Sequence, residues 1–258
     1  MMRVDRILVN RGMSGRKSIQ KLIKAQRVEW AVDENPDNDV IIKKGDQKVP
    51  ENAQLVVDGY IIPPIPLLLV YHKPTDVLSA MKDSSRYCLG DALMEKSSML
   101  FNAGLHPVGR LDADTSGLIL FSSDGALTQR LLHPRHEAEK EYVATVTVDP
   151  KKTKTMNEDA LREKLSRGVE TTEGVHTAQL LSVSACDDDD DNDNSYDVRL
   201  VVQEGKHRMV RRMLANCGFP VAELRRERHG VVWLGDLEEG AFRDLNEEEL
   251  EWAEGIVA

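Results

Sequence analysis

An α+β fold in two unequal parts is predicted for this 258-residue chain, on three observations. The first thirty residues carry two amphipathic helical patterns that give way to short β-type runs. A proline-dense stretch, 61–66, then interrupts the chain. Beyond it, strands and helices follow one another without the regular alternation of a doubly wound sheet, which favours α+β over α/β.

The elements follow in order. Val4, Ile7 and Leu8 recur at helical spacing until Gly12 breaks the pattern, and Ile19, Leu22 and Ile23 resume it behind a cap position at Ser14/Gly15. Val28–Val32, Val40–Ile42 and Leu55–Val57 read as strands, the first two separated by the turn signal 34–38, so a small α-then-β module closes near Gly59. Ile61-Ile62-Pro63-Pro64-Ile65-Pro66 cannot continue a helix or a central strand and reads as a stiff linker. Domains are therefore expected at 1–60 and 67–258. In the second, strands are expected at Leu118–Phe121, Tyr142–Val148 and Val198–Val202, and helices at Ala126–Leu132, Asn157–Ser166 and His207–Asn216. The acidic stretch 187–197 is expected to be a disordered surface insertion; without alternation or a Gly turn it is not a calcium loop.

The formal net charge of −10 argues against a nucleic-acid partner only as an average. Seven acids in 187–197, and nine acids against one base in 236–254, more than account for it. The first thirty residues hold Arg3, Arg6, Arg11, Arg16, Lys17, Lys21, Lys24 and Arg27 against Asp5 and Glu29 alone. Cys88, Cys186 and Cys217 form no CxxC pair, so free thiols in a reducing compartment are expected. No apolar run approaches the roughly 20 residues of a membrane helix, and no secretory signal is expected at the start. GxGxxG, GxxxxGK[ST] and GxSxG are missing, which excludes the usual nucleotide-driven and serine-hydrolase chemistries. His133 and His136 lack partners at zinc-site spacing, and no metal is expected.

Three stretches could carry chemistry. Gly109–Gly117 places Arg110, Asp112, Asp114, Thr115 and Ser116 in a loop that feeds a buried strand; it reads either as a catalytic loop or as a polar turn. In 139–146, alternation puts Tyr142, Ala144 and Val146 on one strand face. In 204–214, Lys206, Arg208, Arg211 and Arg212 gather toward the start of a helix with the apolar stripe Met209, Val210, Met213, Leu214. Cations belong at helix C-termini on dipole grounds, so this cluster implies an anionic partner: a phosphate, an internal carboxylate, or both.

GRLDADTSGLILFSSDG (109–125), EKEY (139–142) and EGKHRMVRRM (204–213) resemble, in order and spacing, the three catalytic-domain motifs of the RsuA/RluB-type pseudouridine synthases. GRKSIQKLIKAQRV (15–28) resembles an S4-type RNA-binding domain, which that family carries in the same position. The resemblance implies an S4-like module at 1–60 and a catalytic domain on a mixed, mainly antiparallel sheet with flanking helices. It implies isomerisation of a uridine in RNA without cofactor or metal. Asp112 matches the essential aspartate, as nucleophile or as base; Tyr142 the tyrosine that packs on the base; Arg211 the residue that pairs with the aspartate; Arg110 an arginine that helps hold the flipped nucleotide. Two positions depart from the family pattern: His72-Lys73-Pro74-Thr75-Asp76 stands for Asn-Lys-Pro-x-Gly, and Met209 for Gln.

The substrate is expected to be ribosomal RNA or a pre-ribosomal particle. RNA contacts are expected from Arg110, Lys206, Arg208 and Arg212 at the site and from Arg3, Arg6, Arg16, Lys17, Lys21 and Arg27 in the N-terminal module. The HPRH…EKEY spacing (133–142) and the segment 226–230 favour small-subunit rRNA. A monomer is expected, with no membrane association, cytoplasmic in a bacterium and plastid or mitochondrial in a eukaryote. The alternative is a catalytically inactive RNA-binding or ribosome-assembly protein on the same scaffold.

Overall fold

A computed structural model describes the chain except for residues 14, 34, 134–137, 149–155, 187–194 and 258. It divides into two compact units, residues 1–67 with 90–106, and residues 68–89 with 107–258.

In the first unit, helices Val4–Asn10 and Arg16–Lys24 precede a sheet in the order Val40–Ile41, Val28–Ala31, Gln54–Val57, Tyr60–Ile62. Val4, Ile7 and Leu8 from the first helix and Ile19 and Ile23 from the second are buried against Val28, Ile42 and Leu55. Gly15 is the N-cap of the second helix, and residue 14 lies outside the described residues. Two expectations need correction. Ile61 and Ile62 are strand residues paired with Val56 and Leu55, so the proline-rich connection begins at Pro63. Residues 90–106 group with the N-terminal unit, because Met99 packs on its core and Gly12 approaches the Met99 carbonyl. A Cβ at Gly12 would lie 1.8 Å from that oxygen.

The second unit is built on a sheet in the order Gln179–Ala185, Ser195–Val202, Lys140–Thr147, Val221–His229, Ser116–Ser122, Leu69–Lys73, Phe242–Asp244. Every pairing along it is antiparallel except that of Val221–His229 with Ser116–Ser122. The mixed, mainly antiparallel sheet is thus present. All seven residues of Ser116–Ser122 are buried, as its apolar run requires. Tyr71 stacks on Phe242 with ring centroids 4.2 Å apart. Helix Gly125–Leu132 is capped by the Asp124 carboxylate, which accepts from Ala126 and Leu127 N–H, and Glu158–Arg167 by Asn157.

Ser195, Tyr196 and Asp197, assigned from sequence to the acidic insertion, are the start of the Ser195–Val202 strand and pair with Thr147, Val146 and Thr145. Residues 187–194 lie outside the described residues. The arginine-rich helix spans Met209–Asn216 and not His207–Asn216, because Arg208 takes the left-handed conformation (φ 52°) as its N-cap.

Candidate active site

The loop that joins Val108 to the Ser116–Ser122 strand is held by its main chain. Ser79 Oγ donates to the Leu111 carbonyl at 2.6 Å and accepts from Leu111 N–H. The Asp112 carbonyl accepts from Thr115 N–H, and the Ala113 carbonyl from Asp76 N–H. Lys73 Nζ reaches the Ala113 carbonyl at 3.3 Å and bonds the Pro74 and Val77 carbonyls at 2.7 and 2.9 Å. Arg211 Nη2 donates to the Asp114 carbonyl at 2.6 Å. Every carbonyl from Leu111 to Asp114 is therefore engaged, which fixes the loop whatever its side chains do.

The half-buried Asp112 carboxylate makes no hydrogen bond or ion pair among the described residues. It lines a cavity of about 340 Å³, together with Tyr142, Arg110, Lys206, Arg208 and Met209. That volume lies within the roughly 300–1,000 Å³ range of small-molecule sites. The expected pairing of Arg211 with Asp112 needs correction. Arg211 Nε lies 3.5 Å from the Asp114 carboxylate, and Arg208 binds the same carboxylate through two bonds of 2.8 and 2.9 Å. Asp114 is the nearer anion because Arg211 is anchored at its other end to the Val221 carbonyl at 3.1 Å. Asp112 still acts on it through space. Burial lowers the Arg211 pKa, and Asp114 and then Asp112 raise it.

The internal carboxylates that the arginine cluster implied are thus Asp114, for Arg208 and Arg211, and Glu173, bound by Arg212 at 3.0 Å. Arg110 and Lys206 are exposed at the cavity and have no hydrogen-bond or ion-pair partner among the described residues. In the first unit, Arg3 pairs with Asp5 and Arg27 with Asp58, whereas Arg6, Arg16, Lys17 and Lys21 are exposed.

The motif departures have local explanations. Asp76, where the family pattern has Gly, adopts φ 64°, a conformation that aspartate tolerates better than most residues. His72 donates from Nδ1 to the Leu237 carbonyl at 2.7 Å. Met209 is buried beside the cavity. Gly117 of the TSGL motif has a steric cause. Its φ is 106°, and a Cβ there would lie 2.3 Å from the Arg226 carbonyl on the adjoining parallel strand.

Sequence reasoning missed Lys73, Lys140, Arg226 and His229. Lys73 is fully buried beneath the loop, and burial pushes its amine down to about 8 against the pull of Asp114, Asp76, Asp112 and Glu239. Lys140, Arg226 and His229 line the cavity. The alternation that put Tyr142 on the inner face signals Lys140 as well, two residues earlier.

A mixed sheet thus carries a braced loop, a carboxylate without a partner among the described residues and a buried tyrosine in one cavity. A crystal structure of a pseudouridylate synthase has the same fold, with a TM-score of 0.58 and 24% identity over 98% of this chain and 100% of that one. Residues 67–216 match the model of the RNA pseudouridylate synthase family, and the chain belongs to that family. An uncharacterized RNA pseudouridine synthase of Mycobacterium leprae is 36% identical over 96% of this chain and 90% of its own length. The ribosomal large subunit pseudouridine synthase B of Bacillus subtilis is 30% identical over 97% and 94% respectively.

Proposed function

We propose that the chain isomerises one uridine of ribosomal RNA to pseudouridine, with Asp112 as the essential carboxylate acting on a flipped-out nucleotide. The observation that carries this reading is the unpartnered Asp112 carboxylate on a fully braced loop, in the cavity that Tyr142 lines. The reaction breaks N1–C1′, turns the uracil while it is held, and forms C5–C1′; the proton leaves C5 and N1 gains one. An ionised carboxylate serves as nucleophile toward the sugar or as base at C2′, and either role needs it unencumbered. A stacked uridine is out of reach, so flipping costs roughly a few kcal/mol, of which stacking on Tyr142 recovers on the order of 1–3.

Arg211 acts as a positioning residue: it fixes the loop through Asp114 and adds positive charge near Asp112. Arg110 and Lys206 are free to take phosphates. Arg208 and Arg212 would first exchange Asp114 and Glu173 for them. The N-terminal unit is proposed as an S4-like RNA-binding module through Arg6, Arg16, Lys17 and Lys21. Such contacts supply affinity and register, not sequence choice.

The segment Arg226–Gly230 supports small-subunit rRNA; the HPRH half of the expected signal falls partly outside the described residues, at 134–137. The name of the Bacillus subtilis relative supports the large subunit instead. That relative and the Mycobacterium leprae one are bacterial, which favours a bacterial cytoplasmic setting over an organelle.

The test is tritium release from rRNA transcribed with 5-tritiated uridine. The wild-type chain releases tritium, and Asp112→Asn abolishes release while RNA binding persists. Release from the variant at the wild-type rate would overturn the role of Asp112. Salt-sensitive binding without release by the wild-type chain would favour the ribosome-assembly alternative. Pseudouridine mapping of rRNA from cells with and without the gene identifies the subunit and position.

A further inference from the structure

The inner face of the Lys140–Thr147 and Val221–His229 strand pair carries four polar side chains in register. Lys140 stands opposite His229, and Tyr142 opposite Arg226. Strict alternation would put Arg226 and His229 on opposite faces. A β-bulge resolves this: Glu141 pairs with Arg228 and Tyr142 with Arg226, so Glu227 is an extra residue that rotates His229 back to the face of Arg226. All four line the cavity that holds Asp112.

Three of them carry unspent hydrogen-bonding capacity among the described residues. Arg226 is 3% exposed; its Nε is bonded to the Leu118 carbonyl at 2.7 Å, and its Nη2 has no partner among the described residues. His229 is 0% exposed, and neither of its ring nitrogens has a partner among the described residues. Lys140, 8% exposed, gives two of its three protons to the Ala138 and Gln203 carbonyls. Unpaired buried polar atoms are costly, so their gathering on neighbouring strands in the lining of one cavity calls for a ligand that completes them.

Resting on the proposed function, we infer that Arg226, His229 and Lys140 form a donor–acceptor–donor set that recognises the imide edge of the flipped uracil, where two carbonyl oxygens flank a ring N–H. Arg226 and Lys140 donate to the two carbonyl oxygens, and a lone pair of His229 accepts from the imide N–H. The imidazole must be neutral to accept. Burial, then the charges of Arg226 and Lys140, drive its pKa well below the ordinary histidine value. Uracil presents acceptor–donor–acceptor along this edge, whereas cytosine presents acceptor–acceptor–donor and would set an acceptor against the His229 lone pair.

The reaction itself gives the arrangement a second use. Exchanging N1 for C5 at the sugar turns the ring about the axis through the imide nitrogen and C6. That turn swaps the two carbonyl oxygens and leaves the imide N–H where it was. A receptor with an acceptor on the axis and a donor on each side makes the same three hydrogen bonds before and after the turn. The detached base can thus be held at its edge while its opposite side is re-presented to C1′.

The test compares the full-length wild-type chain with His229→Leu and His229→Gln on 5-tritiated-uridine rRNA. Since the His229 nitrogens have no partner among the described residues, His229→Leu should keep its melting temperature while kcat/KM falls roughly 10- to 100-fold and RNA binding stays within about twofold. His229→Gln, whose amide can accept from the imide N–H, should recover a large part of the loss. An independent arm needs no variant: a stem-loop whose uridine at the modified position is methylated on the imide nitrogen should compete at least about tenfold more weakly against the wild-type chain than the unmethylated stem-loop. His229→Leu activity within about threefold of wild type, equal competition by the methylated RNA, or equal losses in Leu and Gln variants of unchanged stability would each overturn the inference. Absence of release by the wild-type chain would overturn the proposed function, and this inference with it.

Discussion

Arg211 donates to the backbone carbonyl of Asp114 at 2.6 Å and sets its Nε 3.5 Å from the carboxylate of that same residue, two positions beyond Asp112. The contact holds the Gly109–Gly117 loop through its main chain and leaves Asp112 without a partner among the described residues. Truncating Arg211 would remove the side-chain donor to the Asp114 and Val221 carbonyls together. Arg211→Ala should lose about 2–4 kcal/mol of stability in urea unfolding, and its tritium release should fall with it. A change below about 0.5 kcal/mol would mean the brace is dispensable.

The Asp114 carboxyl lies below its ordinary pKa because Arg208 hydrogen-bonds it, with the charges of Arg211 and Arg208 adding and burial opposing. A depressed carboxyl contributes stability that is present above its unfolded pKa and lost as pH falls through the folded one. Asp114 is nearly half exposed, so the contribution should stay below about 1 kcal/mol. Denaturation of Asp114→Asn between about pH 2 and 5 should show a shallower acid decline than wild type.

Gly117→Ala tests the close approach of two strands. Its added methyl would sit 2.3 Å from the Arg226 carbonyl and 2.5 Å from its nitrogen, both rigid backbone atoms, at a φ of 106°. Destabilisation of at least about 2 kcal/mol is expected, seen as a melting temperature lower by several degrees. Because the strand that must shift carries Arg226 and His229, activity should fall further than the unfolded fraction explains.

Lys140 titrates near 8 because burial, and secondarily Arg226, disfavours its charge. Its unfolded pKa is about 10.4, so between those values the unfolded chain binds more protons and stability rises with pH. Lys140→Met removes that contribution. The stability of wild type relative to Lys140→Met should therefore grow from about pH 8 to pH 10 in guanidinium titrations. Lys73 behaves alike in both proteins and cancels.

Arg110 offers the contrasting case of an exposed arginine with no partner among the described residues. Arg110→Ala should leave stability within about 0.5 kcal/mol, weaken RNA binding and reduce its salt slope by about one. Filter binding at several salt concentrations measures both.

What the sequence disclosed and what it hid divide along physical lines. Two-residue alternation was enough to place Tyr142, and it held Lys140 too, because a regular strand needs no tertiary information. Arg211 was singled out, but its anion was not foreseen, since the choice between Asp112 and Asp114 depends on the anchoring of Arg211 to the Val221 carbonyl, a contact ten residues away. Arg226 and His229 differ by three in number and share a face only through the bulge at Glu227, which no periodicity reports. The fold class and sheet type were legible; the grouping of 90–106 with the N-terminal unit was not, because it rests on contacts remote in sequence such as Met99 on the Val4–Ile62 core.

The bulge also bears on chain length. Opposite Glu141–Tyr142 the Val221–His229 strand contains one residue more than its neighbour, so Glu227 matters as a count before it matters as a side chain. Replacing it leaves the register standing. Deleting it would swing His229 to the outer face and carry Gly230, whose α-carbon has no room for a Cβ beside Trp252, out of its seat. A gapless span through 221–230 is thus a requirement on the spacing of this chain that no inventory of residue types would disclose.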